Sequence, residues 1–260
     1  MKLNFRTGLA VTLLWIGVSP VVAQWSTIKP GLERLDYAIT TQGRRVGITI
    51  LRCDPKKRSI KIVCVSALLG KDTELSAFSL RAVKNKTAAV ATANAGSTQS
   101  LRFPVPAGWL VTDGKEVSRP VFGAPEGAFL CLQKSQVIIG PIDSENRKLP
   151  SCTDAVQRGP FLSAGFNNLV HASPDSLYRR TVAAVDDAGR LLILVTTNPA
   201  SYAEIVSFLF SSEPPLGVKA ALGLDGAASS GLIVQASKSN GRDSELGNVD
   251  FLIASAIVIE

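Results

Sequence analysis

A series of short strand patterns, broken by only two stretches of helical spacing, predicts an α+β chain built mainly from sheet. Three observations carry that reading. Apolar residues alternate with polar or small ones at Val46, Ile48 and Ile50, and again at Ile60, Ile62 and Cys64. Turn signals close apolar runs: Asp113-Gly114 after residues 106–112, and Asp187-Ala188-Gly189 between 182–185 and 191–195. Helical spacing is confined to residues 73–86 (Leu75, Phe78, Leu80, Val83) and 201–211 (Tyr202, Ile205, Val206, Leu209).

The elements follow in order. Residues 1–23 read as a secretory signal peptide. Lys2 and Arg6 supply the positive end, the apolar run 8–18 is too short to span a bilayer, and Val21-Val22-Ala23 offers a cleavage site before Gln24. An uncleaved N-terminal anchor is the alternative. Residues 24–260 are then one exported domain, periplasmic or secreted. Residues 25–37 read as an irregular lead-in. Residues 46–52 and 59–66 read as a hairpin around Asp54-Pro55-Lys56-Lys57-Arg58. Residues 88–96 read as a buried strand ending in Asn94-Ala95-Gly96. Residues 140–152 form a polar loop with Pro141 and Pro150, and residues 248–259 close the chain as a buried strand.

Composition bounds the function. The chain has 260 residues, 46% hydrophobic and 19% charged, enough for one sizeable core. Its net charge of +7 suits anionic partners or is simply a solvated basic surface. No aromatic-basic array marks a nucleic-acid binder. Four cysteines in an exported chain permit two disulfides. The favoured pairs are Cys131–Cys152, stapling the polar loop, and Cys53–Cys64, across the hairpin. No C-x-x-C spacing exists, and the one histidine, His171, stands in a Pro/Ser/Asn-rich loop, so a structural zinc site is disfavoured. There is no Gly-x-Ser-x-Gly elbow, P-loop or dinucleotide fingerprint.

The chemistry concentrates in residues 217–234, GVKAALGLDGAASSGLIV. Two apolar runs flank Asp225-Gly226, and a carboxylate at the end of a buried strand is costly unless bonded, paired or working. One reading is a hairpin whose aspartate caps its own turn. Gly226 leaves room for close approach, and Ser229 and Ser230 add hydroxyls.

This stretch resembles the Leu-Asp-Gly-x-x-Ser signature of the phosphodiester glycosidase family. Further matches run in the family's order: Asn94-Ala95-Gly96, Pro106-x-Gly108, Gln157-Arg158-Gly159-Pro160, Arg180-Thr181, and a helix with an acidic residue at Glu204. The resemblance implies a single α+β domain with a mixed, largely antiparallel sheet and a site made from strand-end loops. It also implies hydrolysis of a sugar-1-phosphate diester. Such chemistry needs a cationic cradle for phosphate and a carboxylate that steadies an oxocarbenium-like state or activates water. On that basis Asp225 is the first candidate carboxylate, Arg180 the phosphate-side cation and Glu204 a second carboxylate. Asn94, Gln157 and Ser229 would orient the sugar, with Gly159 and Gly226 shaping the turns and Arg158 an added anion contact. Ser201-x-x-Glu204 is equally a helix capping box. Residue types leave a divalent cation on Asp225 open. Three positions depart from the family pattern: Gly223 for Asn, Ala227 for a second Gly, and Ser97-Thr98 for bulky residues. A glycan-binding protein without turnover and a structural envelope protein are the competing readings.

Overall fold

The computed structural model describes residues 24–70, 73–100, 104–122, 127–143, 145, 147–164, 176–236 and 241–260. The leader and His171 lie outside them. The chain opens not on an irregular lead-in but on strands β1 (Ser26–Lys29) and β2 (Leu32–Thr41), followed by β3 (Arg44–Cys53). Only Leu32 and Leu35 of β2 are fully buried, so the strand lacks a clean alternation; pairing with β3 along its whole length is what makes it a strand.

β4 (Ile60–Cys64) does not pair with β3. It crosses to another sheet, and the expected hairpin is absent. Helix α1 (Val65–Leu69) follows directly. The helix expected over 73–86 is shorter, α2 (Leu80–Lys86), because Ser79 caps it by accepting from the Ala82 N–H at 3.3 Å. Then come β5 (Ala91–Asn94), β6 (Leu110–Thr112) and β7 (Lys115–Ser118), the last two joined by the predicted Asp113-Gly114 turn with both φ angles positive, 50° and 74°. β8 (Ala128–Gln133), β9 (Gln136–Pro141), β10 (Asp154–Arg158) and β11 (Phe161–Leu162) lead to the predicted hairpin of β12 (Thr181–Asp186) and β13 (Leu191–Thr196). Helix α3 (Tyr202–Leu209) carries the predicted capping box. β14 (Val218–Gly223), β15 (Gly231–Val234), β16 (Ser244–Gly247) and β17 (Ser255–Ile259) complete the chain.

These strands form three antiparallel sheets. Their orders are β1-β2-β3-β13-β12-β14-β11, β7-β6-β10-β8-β9 and β16-β15-β5-β17-β4. One central core joins all three: Leu51, Ile193 and Leu222 of the large sheet meet Ala93, Leu232 and Ile257 of one small sheet and Leu110, Leu130 and Val156 of the other. Helix α3 covers the outer face of the large sheet through Ile205, Phe208 and Leu209. Helix α2 covers the outer face of a small sheet through Leu80 and Val83. This is the expected α+β domain. Among the described residues no helix is long and apolar enough to cross a membrane.

The Cys131–Cys152 disulfide is present and packs beside Trp109 and Phe129. The Cys53–Cys64 pairing is overturned: both thiols are free and buried. The reason is topological. Cys53 lies at the end of β3 opposite Leu191, whereas Cys64 lies in a different sheet opposite Ser255.

Candidate active site

The Asp225 segment is not a hairpin either. β14 belongs to the large sheet and β15 to a small one, so Asp225 sits where the chain crosses between sheets. Its backbone is held on both sides: the Asp225 N–H donates to the Ala95 carbonyl (2.8 Å), and the Leu224 N–H to Thr181 (2.9 Å). A 3-10 turn, Ala227–Ser229, follows. Ala227 has φ of 56°, in the left-handed region that favours glycine, and thus carries strain of about 1 kcal/mol where the family pattern has Gly.

The carboxylate has three side-chain partners. Ser97 Oγ donates to Oδ1 at 2.9 Å, Ser229 Oγ donates to Oδ2 at 2.6 Å, and Arg158 Nη2 lies 3.4 Å from Oδ1. The Asp225 side chain is 19% exposed and that of Arg158 36%, so both are reachable from solvent. The pairing is long, and Arg158 Nε is buried with no hydrogen-bond partner among the described residues. A buried cationic N–H without an acceptor costs about 1–3 kcal/mol and calls for an explanation. Arg158 ends β10, and the next peptide, Gly159-Pro160, is cis; the Pro160 carbonyl accepts from the Gly223 N–H at 2.9 Å, which ties this turn to β14.

Asn94 lies below the carboxylate. It is fully buried; its Nδ2 donates to the Asp225 carbonyl (2.6 Å), and its Oδ1 accepts from Thr181 Oγ1 (2.7 Å) and the Gly231 N–H (3.0 Å). It is a peg that positions the Asp225 backbone. Gly96, two residues on, is needed for close packing: a Cβ there would stand 2.8 Å from Val156 Cγ2 and 3.0 Å from Ser255 Oγ.

The other expected residues fall elsewhere or serve the frame. Gln157 is buried, with Oε1 accepting from the Trp109 and Val121 N–H groups (2.9 Å each) and Nε2 donating to the Val121 carbonyl (2.7 Å). Its amide staples the segment around residues 109–121. Gly226 is not in a left-handed conformation; a Cβ on it would meet the Arg179 carbonyl at 3.3 Å. Glu204 completes the capping box, accepting from the Ser201 N–H at 2.8 Å and pairing with Arg44 at 2.7 Å. Burial pushes its carboxyl up, but bonds from Ser201, Thr41 and Arg44 outweigh that and hold it below the ordinary value. Arg180 is opposite Asp225 along the backbone, since its neighbours Thr181 and Arg179 accept from Leu224 and Ala227. Its guanidinium, however, bonds the Ala200 carbonyl (Nε, 3.1 Å) and the Ser176 carbonyl, and stacks 4.0 Å from the Tyr202 ring. The cation on Asp225 is Arg158.

Sequence reasoning missed Ser97 and Tyr202. Ser97 registered only as a departure from the family pattern, and nothing in its surroundings marked it as a partner of a residue 128 positions away. Tyr202 explains the Gly223 departure: a Cβ at Gly223 would lie 2.5 Å from the tyrosine hydroxyl. Among the described residues no group of three or more His, Cys, Asp or Glu could hold a metal ion. Clefts of about 270 Å³ beside Lys61 and Asp154 and about 670 Å³ beside Gln133 lie at the far end of β10 from Arg158 and are lined by neither Asp225 nor Arg158.

The site is a carboxylate and a guanidinium paired on strand-end turns of an antiparallel α+β domain. The chain belongs to the phosphodiester glycosidase family, whose model matches residues 82–260. Its fold is similar to the catalytic domain of zebrafish N-acetylglucosamine-1-phosphodiester alpha-N-acetylglucosaminidase, auto-inhibited by its pro-peptide (TM-score 0.67, 15% identity, 92% of this chain and 86% of that one). It is also similar to a hypothetical protein from Synechocystis (0.64, 14%, 91% and 63%). A third similar structure is a Burkholderia pseudomallei protein whose name marks it as an expected exported protein (0.55, 12%, 83% and 74%). No curated protein matches the chain.

Proposed function

We propose that this protein is an exported hydrolase that cleaves a sugar-1-phosphate diester of an envelope or exopolysaccharide glycan. The catalytic unit is residues 24–260, with residues 1–23 as its leader. The observation that carries the reading is the Asp225–Arg158 pair, a long 3.4 Å contact that leaves the Arg158 side chain 36% exposed. A phosphate at the exposed part of the Arg158 guanidinium would be held by charge-assisted hydrogen bonds. Arg158 then neutralises the phosphate, and Asp225 faces the anomeric carbon. The C1–O(phosphate) bond breaks, water adds its oxygen to C1, and the water proton passes to the carboxylate and on to solvent. The products are the free sugar and a phosphomonoester, a leaving group good enough to need little protonation. Asn94, Gln157 and Ser229 act through Asp225 and the surrounding backbone.

The second reading, glycan binding without turnover, is favoured by one fact: both Asp225 oxygens already accept hydrogen bonds. The test is hydrolysis of a panel of sugar-1-phosphodiesters by residues 24–260, by Asp225→Asn and by Arg158→Ala, each with and without EDTA. The hydrolase reading expects turnover lost in Asp225→Asn and a raised KM in Arg158→Ala. No turnover by the wild type, together with glycan-induced stabilisation, would replace it by the binding reading. The EDTA arm reports on a cation.

A further inference from the structure

Tyr178 is 48% exposed and Leu177 beside it 46%, an apolar pair on an otherwise charged segment. An exposed aromatic residue is unremarkable when its backbone is free. Here the backbone is fastened: the Ala200 N–H donates to the Tyr178 carbonyl (2.8 Å) and the Tyr178 N–H returns to Ala200 (3.4 Å). The ring also stands 5.5 Å from the Arg180 guanidinium, whose contact with Tyr202 lies at 4.0 Å. One residue on, the Arg179 carbonyl accepts from the Ala227 N–H (2.9 Å) and Ser230 Oγ (3.0 Å), inside the turn that carries Asp225. A solvent-facing tyrosine whose backbone is fastened therefore lies one residue from the position that binds the Asp225 turn.

We propose that Tyr178, flanked by Leu177, is the stacking platform for one pyranose ring of the ligand. The proposal rests on the sugar-phosphate reading above for the class of ligand. An aromatic face carries negative charge density, and the C–H face of a pyranose is weakly positive, so the two stack. A tyrosine fixed by its backbone loses little entropy in doing so. Among the described residues the patch is Leu177 and Tyr178, a size that suits a single ring. Tyr178 sets affinity for the sugar, while Arg158 binds the phosphate.

The experiment measures binding by calorimetry to residues 24–260 and to Tyr178→Ala, Tyr178→Phe and Arg158→Ala. The probes are the 1-phosphates of glucose, galactose, mannose and N-acetylglucosamine, with inorganic phosphate as reference. The expected result is a Kd weakened about tenfold in Tyr178→Ala for at least one sugar phosphate, about 1.4 kcal/mol. Tyr178→Phe retains the wild-type Kd, inorganic phosphate binding does not change, and the melting temperature holds because the ring is exposed. Equal sugar-phosphate affinity in wild type and Tyr178→Ala overturns the proposal, as does failure of every sugar phosphate to bind. Tyr178-dependent binding without hydrolysis leaves the platform standing and removes the hydrolase reading. Hydrolysis with an unchanged KM in Tyr178→Ala does the reverse.

Discussion

Replacing Asn94 by alanine should cost this domain about 4 kcal/mol, although the residue carries no charge. The side chain is wholly buried and serves three partners: the Asp225 carbonyl at 2.6 Å, Thr181 Oγ1 at 2.7 Å and the Gly231 N–H at 3.0 Å. The threonine hydroxyl can rotate toward another acceptor. The two backbone groups cannot, because each is fixed in the crossover between sheets. A buried polar group left unsatisfied costs about 1–3 kcal/mol, so two stranded groups at the middle of that range give about 4 kcal/mol. For a domain of this size the melting temperature should fall by roughly 10 °C. The assay is urea unfolding followed by circular dichroism, with free energies extrapolated to water. Asn94→Asp is the companion variant: it keeps both acceptor bonds but loses the donor to Asp225 and sets a carboxylate against a carbonyl, so it should remain destabilised. A loss below about 1 kcal/mol in Asn94→Ala would refute the peg and leave the Asp225 turn held by Ser97, Ser229 and the sheet alone.

Three further outcomes follow from the same structure. The Glu204 carboxyl is held below its ordinary value of 4.5, so its stabilising effect is complete above that pH and is lost as pH falls through the depressed folded value. Glu204→Gln should be about 1 kcal/mol less stable than wild type near neutral pH, and the gap should shrink in thermal melts as pH falls below 4.5 through the lowered folded value. Reducing Cys131–Cys152, which closes a loop with a sequence separation of 21, should destabilise by about 3 kcal/mol. Cys53 and Cys64 should react with a thiol reagent only after unfolding, because both are buried and burial pushes the Cys53 thiol up to about 12. Absence of free thiols in the unfolded, unreduced chain would show that these two are bonded after all.

Much of this protein was legible in its sequence, for reasons that are local. Alternation at Val46, Ile48 and Ile50, the Asp113-Gly114 turn, the β12–β13 hairpin and the Ser201–Glu204 box depend on residues only a few positions apart. The motif around Asp225 was visible too, because a carboxylate between two apolar runs is conspicuous at any distance. What only the tertiary structure decided is which strands share a sheet and which side chains meet. Residues 46–52 and 59–66 look like a hairpin, as do the apolar runs 218–224 and 232–234, yet each pair is divided between sheets because β4, β14 and β15 pair with strands elsewhere in the chain. That division separates Cys53 from Cys64. The crossover it creates at Asp225 also brings together Ser97, Arg158 and Ser229, and turns Arg180 toward Ala200 and Tyr202. A short-range pattern records how one segment wants to lie. The distant partners of the half-buried carboxylate, Arg158 and Ser97, lie 67 and 128 positions away and are set by strand pairing, which no spacing along the chain encodes.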